Sequence, residues 1–488
     1  MPLILPGNVA SATAGAYEVA NSCRCNSGDD PSMTRTLGSD GNTDKFTISM
    51  WVKRGKLGVQ GYLCGASPGG SNDFHINFES DDTLRFYQNT GGSVAGKLQT
   101  NRKFRDPSAW YHLVFVWDTG NATAGNRMRM YVNGTEETSF GTDTNPAEDA
   151  EAMWLDAASP MYVMAYDTGS SPVHFDGYIA EFVCCDGQAY AASDFGEFSE
   201  DSPTIWMPKD VSSLTFGTNG WYFDFEDSSN LGNDANGGTD WSEANLAAAD
   251  QATDTPTNNF ATWNPLVHAA TAGTFSEGNC IISPGHDTSR VYTVSTLAMP
   301  VKTGSKWYAE FKVDANDTGS LIGVLDARFI SDVFQANTDV DSNSTRTDMG
   351  RVVYRISTGE INYPSSQSTD SGVTSADNDI ISVALDAGGG KVYFAKNGTW
   401  MNSADPAAGS NGEDVTGQGW WTTGVDEFVF LCGDGSTGAY DNWEAHFGGC
   451  PAFAISSANA DDAGYGNFEY DVPAGFYALC TKNLAEYG

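Results

Sequence analysis

The chain has 488 residues, with 63 Asp plus Glu against 25 Lys plus Arg, and a formal net charge of −38. A surface this negative repels nucleic-acid backbones and anionic membranes, so neither is expected as a partner. Hydrophobic residues make up 40% and aromatics 12%, with acids interleaved among apolar stretches, which excludes a disordered acidic tail.

Glycine is abundant, at 54 residues, and no long apolar helical repeat occurs, so many short strands joined by turns are expected. At the usual domain size the length suggests about three domains, and two large β-sandwiches of roughly 200–250 residues each also fit. Residues 1–22 lack periodicity and are expected to form an extended N-terminal arm for attachment or strand exchange. The opening "MPLILPGNVASATAG" has no basic segment and only the apolar run Leu3-Ile4-Leu5, so no signal peptide is expected. No membrane-spanning stretch follows it.

From Phe46 the strand signals are dense. "FTISMWVKRG" places Phe46, Ile48, Met50 and Val52 on one face and Thr47, Ser49, Trp51 and Lys53 on the other. "WYHLVFVW" is apolar on both faces, the pattern of a strand buried on both sides. Asn133-Gly134 suits the positive φ angles of a type I′ hairpin turn, and Asn397-Gly398 repeats the device. Between Trp206 and Pro265 the texture changes. "FEDSSNLGNDANGGTDW" reads as a polar loop, "SEANLAAADQA" as a short helix with Ser242 as N-cap, and "TDTPTNN" as a linker. A domain junction is expected near residue 262. Beyond it "KWYAEFKVD" points Trp307, Ala309, Phe311 and Val313 inward and Tyr308, Glu310 and Lys312 outward. The nine cysteines lie mostly in strand-like stretches without a CxxC pair, and read as buried small hydrophobes.

Three stretches in the first half, "FTISMWVKRG" (46–55), "DPSAWYHLVFVWDT…RMRMYVNGTE" (106–136) and "FDGYIAEFVCCDGQAY" (175–190), resemble the laminin-G/concanavalin A-like jelly rolls of bacteriophage tail-fibre and other virion proteins. In the second half, "GSKWYAEFKVD" (304–314), "IGVLDA" (322–327), "DIISVALDAGGGKVYFAKNGTW" (379–400) and "HFGGCPAF…VPAGFYALCTKNL" (446–484) resemble a SPRY domain. The chain departs from the common pattern at Gly449, Cys450, Cys23 and Cys25. The resemblance implies an all-β chain of two concanavalin-like antiparallel sandwiches, or jelly rolls. It divides the chain into the arm at 1–22, a concanavalin A/laminin-G-like domain at 23–205, a linker with a short helix at 206–262 and a SPRY-like domain at 263–488.

Catalytic signatures are weak. Gly65-Ala-Ser67-Pro-Gly69 matches GxSxG, but a strand-like segment follows where a nucleophile elbow needs a helix. No E-x-D-x-E run offers paired carboxylates for glycoside cleavage; Glu310 and Asp314 read as a solvated strand face. Asp339-Val-Asp341-Ser-Asn343 and "DSSNLGNDAN" (227–236) gather oxygens suited to calcium, yet read as ordinary polar turns. The six histidines are dispersed, which argues against zinc, and His112 reads as a hydrogen-bonded core residue. No cofactor and no enzymatic activity are expected. Sugar recognition uses aromatic faces beside amides and carboxylates, and SPRY domains generally build ligand surfaces from loops. The candidate ligand residues are Trp400, Trp420, Trp421, Tyr440, Asp441 and Trp443, near Asn402 and Asp434. The resemblance implies a virion protein of a tailed phage that binds host surface polysaccharide beside other virion proteins. It implies a homo-oligomer, by default a trimer, as phage fibres usually are. Capsid decoration or an adaptor role, and a polysaccharide depolymerase, are the alternatives.

Overall fold

Period-two alternation builds the first core. Phe46, Ile48, Met50 and Val52 of one strand meet Leu113, Phe115 and Trp117 of its neighbour, all fully buried. The computed structural model describes residues 17–488 except 168–171, 201, 269–272, 285–290, 315–318, 334–348, 365, 368–370, 423 and 435–441. These residues form two compact units, one within Ala14–Thr257 and one within Asn258–Gly488.

In chain order the first unit contains β1 (Ser22–Cys25), β2 (Ser32–Arg35), β3 (Lys45–Arg54), β4 (Gly61–Gly69), β5 (Asn72–Phe78), β6 (Thr83–Thr90), β7 (Ser93–Lys103), β8 (Trp110–Asp118), β9 (Met128–Val132), β10 (Thr135–Glu136) and β11 (Phe140–Thr144). It continues with β12 (Met161–Val163), β13 (Ala165–Asp167), β14 (Pro172–His174), β15 (Gly177–Asp186), β16 (Gly196–Phe198), β17 (Trp206–Pro208), β18 (Trp221–Phe223), β19 (Ser242–Ala244) and β20 (Gln251–Ala252). One eight-stranded sheet runs β10-β9-β8-β3-β15-β1-β20, with β18 also on β15. The other runs β11-β7-β6-β5-β4-β12-β2-β19. Both are antiparallel, and their facing side chains form the first core.

The second apolar face of β8 is buried as its sequence requires. Val114 and Val116, with Val183 and Cys185 of β15, are covered by Ala192, Phe195, Val211 and Phe216. Each such fully buried aliphatic or aromatic side chain contributes about 1.5–3 kcal/mol. Cys184 and Cys185 accordingly pack in different clusters on opposite sides of the sheet. All nine cysteines are buried.

Of the expected linker at 206–262, residues 206–257 instead complete the first unit. β17 pairs with β16, β18 with β15, β19 with β2 and β20 with β1. The helix expected from Ser242 is β19 followed by a single 3₁₀ turn at Ala248–Asp250, and Ser242 lies opposite Thr34 in the sheet. Arg24 fixes that turn, donating to Ala249 O at 3.2 Å and Asp250 Oδ1 at 3.3 Å. Strands of two or three residues are too short to display an alternation. Of the expected arm, residues 1–16 lie outside the described residues; Tyr17 packs on the first unit, its hydroxyl 3.1 Å from that of Tyr222.

The second unit has an eight-stranded and a nine-stranded sheet around a core that includes Trp263, Trp307, Phe311, Phe430 and Trp443. Strand Lys306–Asp314 lies between Ile380–Asp386 and Asn442–His446 and sends Trp307, Ala309, Phe311 and Val313 inward. Its outward face is not solvated as expected. Tyr308 packs with Phe260, Tyr393, Phe468 and Phe476, and Glu310 is fully buried. The two Asn-Gly turns match each other closely, with φ of 47° and 76° at Asn133-Gly134 and again at Asn397-Gly398. Among the described residues no helix is long and apolar enough to cross a membrane.

Candidate functional site

Three neighbouring strands of the first sheet end at one level, where Cys25 and Arg54 both pair with Gly177. The residues just beyond these ends therefore converge: Ser27, Lys56 and Asp176. Asp176 Oδ2 accepts from Ser27 N at 3.1 Å and Ser27 Oγ at 2.9 Å, and Lys56 Nζ lies 3.1 Å away. Lys56 Nζ also donates to Ser27 Oγ at 2.7 Å. The close approach needs glycine: a Cβ on Gly55 would stand 2.3 Å from Asp176 Oδ1, and Gly177 takes φ of +140° against Lys53 O. Asp176 is 5% exposed, and its Oδ1 has no hydrogen-bond partner.

This triad forms one wall of a cleft of about 490 Å³. The other wall is β14, where Pro172 and Val173 are apolar and His174 is polar. His174 Nδ1 stands 2.9 Å from Pro31 O, so it carries the proton, and Nε2 lies 3.4 Å from Asp30 Oδ1. At the base, the Arg54 guanidinium lies 4.4 Å above the Phe78 ring. It donates to Asp82 Oδ1 at 3.0 Å and Phe104 O at 2.6 Å. Burial pushes Arg54 below its usual range, against the opposing pull of Asp82. Burial also works to raise Asp82, but the Gly58 amide and the guanidinium groups of Arg105 and Arg54 outweigh it and hold the carboxyl low. Val59, 45% exposed, stands at the rim. The cleft has the size and mixed lining of a small-ligand site, with hydroxyl, ammonium, imidazole and carboxylate groups fixed by mutual hydrogen bonds.

The residues expected from sequence lie elsewhere and do not form one site. Trp443 is fully buried in the second core, and Trp420 is 5% exposed in it, so neither presents a ring to a ligand. Trp421 is half-buried against Phe428, ring centroids 6.1 Å apart. Trp400 is half-buried in the short strand Thr399–Trp400, paired with Ala395 and with its ring 6.5 Å from that of Tyr393, near exposed Asn402, which donates to Glu413 at 3.4 Å. Tyr440 and Asp441 lie outside the described residues. The cleft residues escaped the sequence reading because they come from separate turns that only strand register brings together. The one signal was "FDGY", whose Asp176 reads as part of a closing strand.

Other motifs resolve in structural terms. Ser67 sits in β4 directly before the β5 hairpin and donates to Asn72 O at 2.8 Å, unlike a nucleophile elbow. His112 lies 2.9 Å from Ser49 Oγ through Nε2, and its Nδ1 accepts from Trp206 Nε1 at 2.9 Å. The Trp206 donor places the imidazole proton on Nε2, so this nitrogen donates to Ser49 and cannot take its proton. Burial alone pushes His112 down to about 3. In the 227–236 loop, Asp227 accepts from Ser229, and Asp234 Oδ1 accepts from the amides of Tyr222 and Asn236, as in polar turns. Residues 339–343 lie outside the described residues, and no metal-binding group of three ligands occurs among those described.

Residues 26–188 match the concanavalin A-like lectin/glucanases superfamily. That stretch contains most of the first sandwich and every residue named in the cleft. Similar solved structures include a heptameric SAP-like pentraxin from Limulus polyphemus, at 15% identity and TM-score 0.27, covering 36% of this chain and 80% of that one. The SPRY domain of human HERC1 is similar at 15% identity and TM-score 0.27, covering 39% and 97%. A protein from Bacteroides ovatus, described as carbohydrate binding, is similar at 14% identity and TM-score 0.31, covering 46% of this chain and 58% of its own. No curated protein matches the chain by sequence.

Proposed function

We propose that this protein is a non-enzymatic glycan-binding adhesin, a tail-fibre or appendage component of a tailed-phage virion that recognises host surface polysaccharide. The observation that carries the reading is the polar cleft between β14 and the Ser27–Lys56–Asp176 triad, inside the stretch matching the concanavalin A-like lectin/glucanases superfamily. A homo-oligomer, by default a trimer, would multiply shallow contacts into useful avidity. The phage setting rests on the paired resemblance of the two halves.

Binding without cleavage is favoured over hydrolysis by how the two carboxylates of the cleft are held: Asp176 is tied to Lys56 and Ser27, and exposed Asp30 lies 3.4 Å from His174 Nε2, so neither is set as a free acid or base across a bond. The test is retention of the labelled full chain on an array of bacterial surface polysaccharides, comparing wild type with Lys56→Ala. Saturable retention weakened by the substitution supports the reading, and no retention by the folded protein contradicts it.

A further inference from the structure

The dipeptide Asn-Gly occurs five times, at 133–134, 219–220, 236–237, 397–398 and 411–412. In this pair the side-chain amide is open to attack by the next backbone nitrogen, because glycine has no Cβ to shield that nitrogen. The fold treats the five unequally. At four of them the glycine is wedged. A Cβ on Gly134 would strike the Trp206 ring, on Gly220 the Phe216 carbonyl, on Gly398 the Tyr470 ring and on Gly412 the Tyr393 ring. The asparagine of each is tied as well. Asn133 Oδ1 accepts from the His112 amide at 2.8 Å, and Asn397 Oδ1 from the Ile380 amide at 2.9 Å. Asn219 Nδ2 donates to Ser39 O at 3.3 Å, and Asn411 Nδ2 to Ser403 O at 3.0 Å. Asn236-Gly237 is the exception. Both residues are exposed, and the Asn236 side-chain amide has no hydrogen-bond partner among the described residues. A Cβ on Gly237 would meet nothing within 4 Å. The nitrogen of Gly237 is restrained by a turn bond to Asp234 O at 2.7 Å, in an exposed loop where such bonds open locally.

We propose that Asn236 is this protein's site of spontaneous deamidation. The Gly237 nitrogen attacks Asn236 Cγ and closes a succinimide ring; its proton and the side-chain NH2 leave together as ammonia. Water then adds to either imide carbonyl and breaks its bond to nitrogen, leaving aspartate or isoaspartate at position 236. Water is the only co-reactant. The product adds a carboxylate to a turn that already holds Asp234 and Asp240, and Asp240 Oδ1 accepts from Asp234 N at 3.1 Å. The isoaspartate form also lengthens the main chain by a methylene. This change falls on a structural joint, because the same turn clamps β18. Tyr222 N donates to Asp234 Oδ1 at 3.0 Å, and Ala235 N donates to Tyr222 O at 2.8 Å. Asn236 N itself donates to Asp234 Oδ1 at 3.1 Å, so a longer chain at 236 pulls on the carboxylate that holds β18. Conversion is therefore a one-way loosening of β18 on the first sheet.

The experiment ages the full chain in mildly alkaline buffer, where the attacking nitrogen loses its proton more readily. Peptide mass spectrometry maps the conversion of asparagine to aspartate, and enzymatic methylation labels isoaspartate. A parallel sample is aged in denaturant. In the folded chain Asn236 should convert at least about tenfold faster than the other four Asn-Gly pairs, each of which must break a side-chain hydrogen bond and displace a packed neighbour. In denaturant that advantage should disappear, since the contacts that protect the other four are gone. Asn236→Gln should remove most of the isoaspartate label from the folded chain, and its unaged melting temperature should match wild type. Aged wild type should melt below fresh wild type, and aged Asn236→Gln should not. Faster conversion at Asn133, Asn219, Asn397 or Asn411 in the folded chain overturns the assignment, as does an isoaspartate label left unchanged by Asn236→Gln. Wild type converted at Asn236 yet melting like fresh protein overturns the loosening of β18.

Discussion

The hydroxyl of Tyr308 donates to Glu310 Oε1 at 2.8 Å, and both side chains are fully buried on the outward face of their strand. The backbone amides of Glu469 and Tyr470 also donate to this carboxyl, at 2.8 and 2.9 Å. A residue pair that alternation assigns to solvent is thus the anchor for a covering segment near the C-terminus.

Burial raises Glu310 to about 7 despite its three donors, so the folded state favours the protonated form. A carboxyl raised on folding contributes stability that is full below its unfolded value of about 4.5 and is lost as pH rises through about 7. The contribution is on the order of 3 kcal/mol across that window. Glu310→Gln should therefore flatten the fall in thermal stability between pH 5 and pH 8 relative to wild type. Equal slopes for the two proteins would contradict this assignment. Glu181 in β15, raised by burial to about 8 and bonded by Tyr222 at 2.8 Å, acts in the same direction and is unchanged in the comparison.

Among the described residues, the Lys53–Asp254 pair is the most deeply buried ion pair of the first unit, with Nζ to Oδ2 at 2.7 Å and each side chain 1% exposed. Trp110 Nε1 donates to the other carboxylate oxygen at 3.1 Å. Removing one partner strands the other charge away from water, so Lys53→Ala or Asp254→Ala should each cost about 3–5 kcal/mol in denaturant unfolding. The double variant Lys53→Met/Asp254→Leu should recover much of that loss. Additive losses in the double variant would contradict a coupled pair.

Gly134 closes its hairpin at φ of +76°, and a Cβ there would fall 2.3 Å from the Trp206 ring. Gly134→Ala should cost at least about 2 kcal/mol, combining backbone strain with displacement of the indole that fixes His112. Gly38→Ala, at a position with nothing within 4 Å, should change stability by less than about 0.5 kcal/mol. Similar melting temperatures for the two variants would contradict the packing described at Trp206.

The fold was legible wherever strands were long enough to show a period. Alternation assigned every inward residue of 46–52, and the two apolar faces of "WYHLVFVW" announced a covered sheet. The short strands at Trp206–Pro208, Trp221–Phe223 and Ser242–Ala244 show no period, so their segment read as a linker. Trp420 and Trp443 lie among glycines and acids, and local composition cannot distinguish such a ring in a loop from one in a core. Ser27, Lys56 and Asp176 are separated by long stretches of chain, and only the common level at which β1, β3 and β15 end makes them neighbours.

The central claim, that the cleft beside β14 binds glycan, is tested most directly by array retention of the full chain with wild type, Lys56→Ala and His174→Ala in parallel. The account predicts saturable wild-type retention, reduced about tenfold or more by Lys56→Ala, which removes the ammonium of the Ser27–Asp176 wall. A smaller loss is predicted for His174→Ala. Wild-type retention left unchanged in both folded variants would contradict the assignment of this cleft, and no wild-type retention on any polysaccharide would contradict the adhesin reading itself.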